Sequence, residues 1–324
     1  MGKTISIFNQ KGGVGKTTTC VNLAASLGAK GKSVLLVDVD PQGNSTSGVG
    51  ADKAEIEYST YDILINKVPA RGIMIETEFK NLFLLPANMN LAGAELELAD
   101  QEDRFYALKK AISPLALDFD YIIIDCPPSL GLLSLNALAA SDTLIVPLQC
   151  EYYALEGLSQ LLSTVRTVKQ LYNEHLELEG VIYTMYDSRL KLNQQVIEEV
   201  NKYFPNKAYK TMIPRSVKLA EAPSFGKPVI YYEKYCKASF AYKKLADEII
   251  KSNRCFMGFF KKPEVVILKE DSSADETLAE MKEMCLEAHG ELKKELENQV
   301  YILERGLKGE EEILFQLKYA GMDM

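Results

Sequence analysis

Asn9-Gln10-Lys11-Gly12-Gly13-Val14-Gly15-Lys16-Thr17-Thr18 lies between an apolar run, Thr4 to Phe8, and a segment of helical character opening at Thr17. Glycines between a strand and a helix let several backbone N–H groups turn inward on a phosphate chain, and the helix N-terminus adds the positive end of its dipole. Gly12, Gly13 and Gly15 supply that cradle, Lys16 reaches the β- and γ-phosphates as a point charge, and the Thr17 hydroxyl is placed to ligate Mg²⁺. The general spacing G-x-x-x-x-G-K-[ST] asks for glycine at position 10, where Gln10 stands instead. In its place is K-G-G-V-G-K-T, with a second lysine, Lys11, just ahead of the glycines. One lysine suffices for the phosphates of a protein's own nucleotide. Lys11 is therefore either a solvated surface residue or a group aimed elsewhere.

The chain has 324 residues, 47% of them apolar, enough for one large domain or two smaller ones. No run approaches the roughly 18 apolar residues of a membrane span, and the N-terminus lacks the apolar core of a secretory signal, so the reading is of a soluble protein. Six cysteines form no C-x-x-C pair, and with two histidines neither a zinc site nor a disulfide framework is indicated. The reducing cytoplasm is the expected compartment. From Met257 onward 9 Lys+Arg face 16 Asp+Glu, leaving 28 against 29 before it, so the net charge of -8 belongs mostly to the tail. A nearly neutral main domain is free to carry a local basic face.

Short apolar, β-branched runs alternate with longer amphipathic segments, the pattern of a parallel sheet covered by helices. Strands are expected at Thr4 to Phe8, Ser33 to Val37, Leu82 to Leu85, Tyr121 to Ile124, Thr143 to Val146 and Gly180 to Thr184. Helices are expected to include Thr17 to Ala29, Leu155 to Tyr172, Gln194 to Tyr203 and Ala238 to Lys251. This is a doubly wound α/β fold, a mostly parallel sheet with helices on both faces, whose ligands sit at the carboxyl ends of the strands. Two acidic motifs fall at such ends, Asp38-Val39-Asp40-Pro41-Gln42-Gly43-Asn44 and Asp125-Cys126-Pro127-Pro128. A carboxylate ending an apolar strand beside a phosphate loop is where Mg²⁺ is held, so Asp125 reads as that acid and Asp40 as the group orienting an attacking water. Taken alone, each would more simply cap the turn that follows it.

The stretches K-G-G-V-G-K-T-T-T, L-L-V-D-V-D-P-Q-G-N-S-T, I-I-I-D-C-P-P-S-L-G, P-L-Q-C-E-Y-Y-A-L-E-G and I-P-R-S-V-K-L-A-E-A-P-S-F-G-K-P resemble the ParA/Soj partition ATPases of the deviant Walker A group. The likeness runs from about Lys3 to Ile250. It implies a P-loop NTPase fold, with ATP and Mg²⁺ as cofactors and an ATP-induced face-to-face homodimer. It further implies nonspecific binding of double-stranded DNA by the dimer, and a ParB-type partner that stimulates hydrolysis and release. In that family Gly12, Gly13, Val14, Gly15, Lys16, Thr17 and Thr18 would hold the phosphates, Thr17 and Asp125 the magnesium, and Asp40 the water, while Lys11 would act across the dimer. Adenine contacts would come from Pro214 and Ser216, the latter standing where relatives usually have asparagine. The location would be the nucleoid.

Nonspecific duplex binding needs cations aimed at phosphates. Arg189 matches an arginine that the family uses for DNA, and Lys218 stands where relatives often have arginine, keeping the charge without the bidentate fork. Lys191, Lys210, Arg215 and Lys237 would complete a patch, though any one such lysine is more simply a solvated surface residue. Beyond the domain expected at 1–252, residues 253–273 read as a linker and 274–324 as an acidic helical extension. Leu278, Met281, Cys285, Ala288 and Leu292 recur there at helical spacing. Residues 263–324 also resemble the leading segment of nuclease-related-domain proteins, and are read as an incomplete module of a fused or frameshifted frame. The apolar knot before Lys261 and Lys262 opens a second reading, a membrane-associated positioning ATPase like MinD, although so short a segment is insufficient by itself for stable attachment. An iron–sulfur reductase would need paired cysteines, for which Cys126 and Cys150 give no context. A metabolic kinase is disfavoured by Lys11 and the D-P-Q-G-N stretch.

Overall fold

The computed structural model describes residues 2–151, 154–204 and 207–258. The expected linker beyond 258, the acidic extension and the 263–324 resemblance lie outside them. One compact unit spans Met1–Lys251. Its strands are β1 (Lys3–Ile7), β2 (Val34–Asp38), β3 (Ile75–Glu76), β4 (Leu82–Leu85), β5 (Tyr121–Asp125), β6 (Thr143–Gln149) and β7 (Glu177–Thr184). The helices of the first half are α1 (Lys16–Ala29), α2 (Asn44–Gly48), α3 (Thr60–Leu64), α4 (Ala70–Ile73), α5 (Leu91–Ala99) and α6 (Ala107–Ile112). Those of the second are α7 (Leu132–Ala140), α8 (Ala154–Leu171), α9 (Lys191–Tyr203), α10 (Val217–Glu221), α11 (Val229–Tyr232) and α12 (Lys237–Gly258).

The sheet order is β3-β4-β2-β5-β1-β6-β7, parallel throughout except for β3 on β4. Every residue of β1, β2 and β5 is buried, as a parallel sheet covered on both faces requires. The doubly wound class read from the alternation is the observed one. Register fixes the site: Asp125 pairs with Ile7 on one side and with Asp38 on the other. The carboxyl ends of β2, β5 and β1 are thus level, and the glycine loop leaves from β1, next to β5. Beyond Ile145, β6 no longer pairs with β1, and Pro147 falls in that stretch, where its missing N–H costs no bond to β1.

The two-residue edge strand β3 and the helices of four or five residues had no sequence signal. None is long enough to display a period, and α3 is held instead by a capping box between Ser59 and Asp62. Helix α12 continues past the expected end at Lys251 to Gly258. Among the described residues no helix is long and apolar enough to cross a membrane.

Helix α1 lies close over the turn before β4. A Cβ on Gly28 would stand 2.4 Å from the Lys80 carbonyl oxygen, whereas one on Gly72 would meet nothing within 4 Å. Gly28→Ala should destabilise the protein by about 1–3 kcal/mol, and Gly72→Ala should be neutral or stabilising by up to about 1 kcal/mol. Urea unfolding midpoints check both; equal midpoints for the two variants would contradict the packing described.

Candidate nucleotide and magnesium site

The loop after β1 is built for an anion. Gly13 and Gly15 hold φ of 74° and 88°, left-handed values that glycine adopts without strain. Open space lies above Gly12 and Gly13, where a Cβ would touch nothing. Helix α1 has no side-chain cap and no acidic residue in its first turn. Its bond from Thr19 N–H to Gly15 C=O, at 2.9 Å, leaves the amides of Lys16, Thr17 and Thr18 as first-turn donors without intrahelical acceptors. The loop is anchored from outside, by Asn9 Nδ2 to the Pro147 carbonyl at 2.9 Å and by Thr184 Oγ1 to the Val14 carbonyl at 2.8 Å. Lys16 is buried and donates to the Lys11 carbonyl at 3.0 Å. Burial lowers its ammonium pKa, opposed chiefly by the Asp125 carboxylate.

Two fully buried carboxyls stand side by side at the strand ends. Asp125 accepts the Ser45 hydroxyl at 2.7 Å on Oδ2 and the Cys20 thiol at 3.4 Å on Oδ1, and it is hydrogen-bonded by Thr17. Asp38 accepts the Thr46 amide and hydroxyl, both at 2.8 Å, and the Asp40 amide at 3.2 Å. Desolvation pushes both acids above the ordinary carboxylate value, and for Asp38 the neighbouring Asp125 charge adds to it. Asp40 is buried nearby, with Gln42 N–H on Oδ1 at 2.9 Å. Among the described residues no group of three or more His, Cys, Asp and Glu could hold a metal. A divalent cation here would rely on Thr17, Asp125, water and ligand oxygens, the donor set that suits Mg²⁺. Two desolvated carboxyls fit such a cation, and the open amide cradle fits a phosphate chain.

Pro214 and Ser216 line a cavity of about 220 Å³ together with Gly15, Thr18, Met185 and Tyr242, so the structure joins the expected base-contacting residues to the phosphate loop. The Ser216 side chain makes no capping bond to α10. Lys11, by contrast, points out to Glu151 at 2.8 Å, both side chains being nearly half exposed. Arg189 lies on the surface with its fork on Asp187, at 2.9 and 2.6 Å. The guanidinium holds the Asp187 carboxyl down to about 2. Lys218 is paired with Glu221 at 2.9 Å and sits over the Tyr232 ring. Lys191, Lys210, Arg215 and Lys237 are exposed. Sequence reasoning passed over Asp38, Ser45, Thr46 and Cys20, whose partners become visible only once β2 and β5 are paired.

The AAA domain family matches residues 2–178. The chain is 57% identical over 249 residues to the sporulation initiation inhibitor protein Soj of Bacillus subtilis, covering 77% of this chain and 98% of that one. The chain belongs to the Soj/ParA family of chromosome-partitioning ATPases. It is 49% identical over 250 residues to the chromosome-partitioning ATPase Soj of Treponema pallidum, covering 77% and 98% of the two chains. A solved structure from Mycobacterium smegmatis, titled cobyrinic acid a,c-diamide synthase with bound ADP and magnesium, superposes with a TM-score of 0.69 at 38% identity. That match covers 80% of this chain and 97% of that chain.

Lys16→Ala should reduce nucleotide affinity by at least about 100-fold, since it removes the buried cation facing the cradle; equilibrium binding of a fluorescent nucleotide measures it, and retained affinity would contradict the assignment. The acids also set a pH dependence. An acid whose pKa is raised on folding contributes stability that is present at low pH and lost as pH rises through the raised value. The nucleotide-free protein should therefore lose stability as pH climbs above the ordinary aspartate value of 3.8, and Asp38→Asn should flatten that slope. Urea titrations across pH check the sign.

Proposed function

We propose that the chain is an ATP-driven DNA-partition switch that cycles between a monomer and a face-to-face dimer. The observation that carries this reading is the different placement of two lysines in one loop. Lys16 is buried at the cradle, while Lys11 stands at the surface with its ammonium paired to a half-exposed carboxylate, Glu151. A surface pair of this kind contributes little, about 0–1 kcal/mol, so Lys11 is readily released to a second protomer's phosphates.

In this reading the amides of residues 12–18 and the Lys16 ammonium hold the ATP phosphates, Pro214 and Ser216 the adenine, and Thr17 with Asp125 the Mg²⁺. When bound, Mg²⁺ neutralises charge developing between the β- and γ-phosphates. Asp40 accepts a hydrogen bond from the attacking water, its rotamer fixed by the Gln42 amide. Lys11 adds a cation in trans, so hydrolysis and dimer lifetime are linked. The ATPase unit is residues 1–252, in keeping with the compact body ending at Lys251.

The dimer binds double-stranded DNA without sequence preference, through Arg189 and Lys218 supported by Lys191, Lys210, Arg215 and Lys237. Arg189 and Lys218 are already paired with acids on the surface, and a DNA phosphate competes with those partners at small cost. A ParB-type partner would stimulate hydrolysis and release the protein from the nucleoid. The MinD-like alternative rested on residues 256–262, whose side chains lie outside the described residues.

Lys11→Ala should bind ATP normally yet remain monomeric, with hydrolysis reduced about 10-fold or more by loss of one transition-state cation; light scattering with ATP reads the mass, and an ATP-dependent dimer would contradict the trans role. Arg189→Glu should weaken DNA binding and lower the slope of log affinity against log salt by about 1, while leaving the dimer intact. Unchanged affinity across salt concentrations would remove Arg189 from the DNA face.

A further inference from the structure

We infer that Ser45 is a positioning residue for the magnesium-side carboxylate: its hydroxyl fixes the orientation of Asp125 and ties it to the turn that carries Asp40. The inference rests on the assignment of Asp125 to Mg²⁺ made above. Ser45 and Asp125 are both fully buried and lie 80 residues apart in the chain, joined by a 2.7 Å hydrogen bond. Ser45 is in the first turn of α2, and its neighbour Thr46 donates twice to Asp38, both at 2.8 Å. Thr46 also accepts the Ala87 amide at 2.9 Å. Two adjacent residues of a five-residue helix are thus bonded to the two strand-end carboxyls, and the helix is continuous with the Asp40 turn through Gly43 N–H on the Asp40 carbonyl at 2.8 Å.

The consequence is geometric. With Oδ2 engaged by Ser45 and Oδ1 by Cys20, the Asp125 carboxyl cannot rotate without breaking a contact. Hydrogen bonds that orient a ligating carboxylate typically change metal affinity or activity about 10–100-fold when removed. Ser45 also fixes where Asp40 stands relative to Asp125, because the segment between them is short and bonded at both ends. The Ser47 hydroxyl, on the same helix, bonds to the Gly43 and Asn44 carbonyls and, among the described residues, to neither acid.

The test compares wild type, Ser45→Ala and Ser47→Ala, all as the full chain. In the nucleotide-free protein, hydrogen exchange of the 46–48 amides should accelerate about tenfold in Ser45→Ala, as expected from losing one hydrogen bond to a charged group, and should stay at the wild-type rate in Ser47→Ala. With ATP, the Mg²⁺ concentration giving half-maximal hydrolysis should rise about tenfold in Ser45→Ala, while Mg²⁺-free ATP binding is unchanged. Faster exchange with an unchanged Mg²⁺ requirement would reduce Ser45 to a local helix contact and overturn the inference. Wild-type behaviour of Ser45→Ala in both arms would overturn it too. If the wild type itself hydrolyses ATP without Mg²⁺ stimulation, the assignment of Asp125 falls, and the inference falls with it for that separate reason.

Discussion

Two carboxyls buried side by side are the constraint around which this molecule is arranged. Asp38 and Asp125 end adjacent strands in register, and neither is reached by water. Charge in such a place costs several kcal/mol per ion, by an order-of-magnitude estimate, unless donors or a cation compensate it. The fold supplies donors from elements far apart in the chain: Thr17 and Cys20 from α1, Ser45 and Thr46 from α2, and the Asp40 amide from the turn between β2 and α2. The same arrangement leaves the site short of positive charge. Lys16 stands nearest to that need, its ammonium stabilised chiefly by Asp125 against the cost of its own burial.

A ligand that binds here favours the folded state and the local geometry with which it interacts best. Lys16 is buried beneath the open cradle glycines, whereas Lys11 is paired at the surface with Glu151. The cavity lined by Pro214 and Ser216 adjoins the loop, since Thr184 at the end of β7 donates to the Val14 carbonyl and lines that cavity.

Much of this was legible in the sequence. The glycine loop, the alternation of apolar runs with amphipathic segments, and the acids at strand ends are local patterns, and each is found where its pattern put it. Helices α2, α3, α4, α10 and α11 were not legible, because four or five residues cannot show a 3.6-residue period and tertiary contacts hold them. Strand β3 is two residues long and exists only as an edge on β4. Asp38 was read as part of its motif without a role. The reading went to Asp40, whose carboxylate accepts the Gln42 amide, whereas Asp38 accepts both the amide and the hydroxyl of Thr46. Ser45 was invisible for a different reason. A serine after D-P-Q-G-N reads as an ordinary turn or cap residue, and nothing local announces a partner 80 residues away.

The account stands on nucleotide-dependent DNA binding by a dimer. The most direct measurement is DNA affinity of the purified full chain with ATP, with ADP and without nucleotide, at low and moderate salt, with molecular mass followed in parallel. The account predicts binding that requires ATP, weakens steeply with salt and appears together with the dimer. A dimer that forms with ATP and fails to bind DNA at low salt would contradict it.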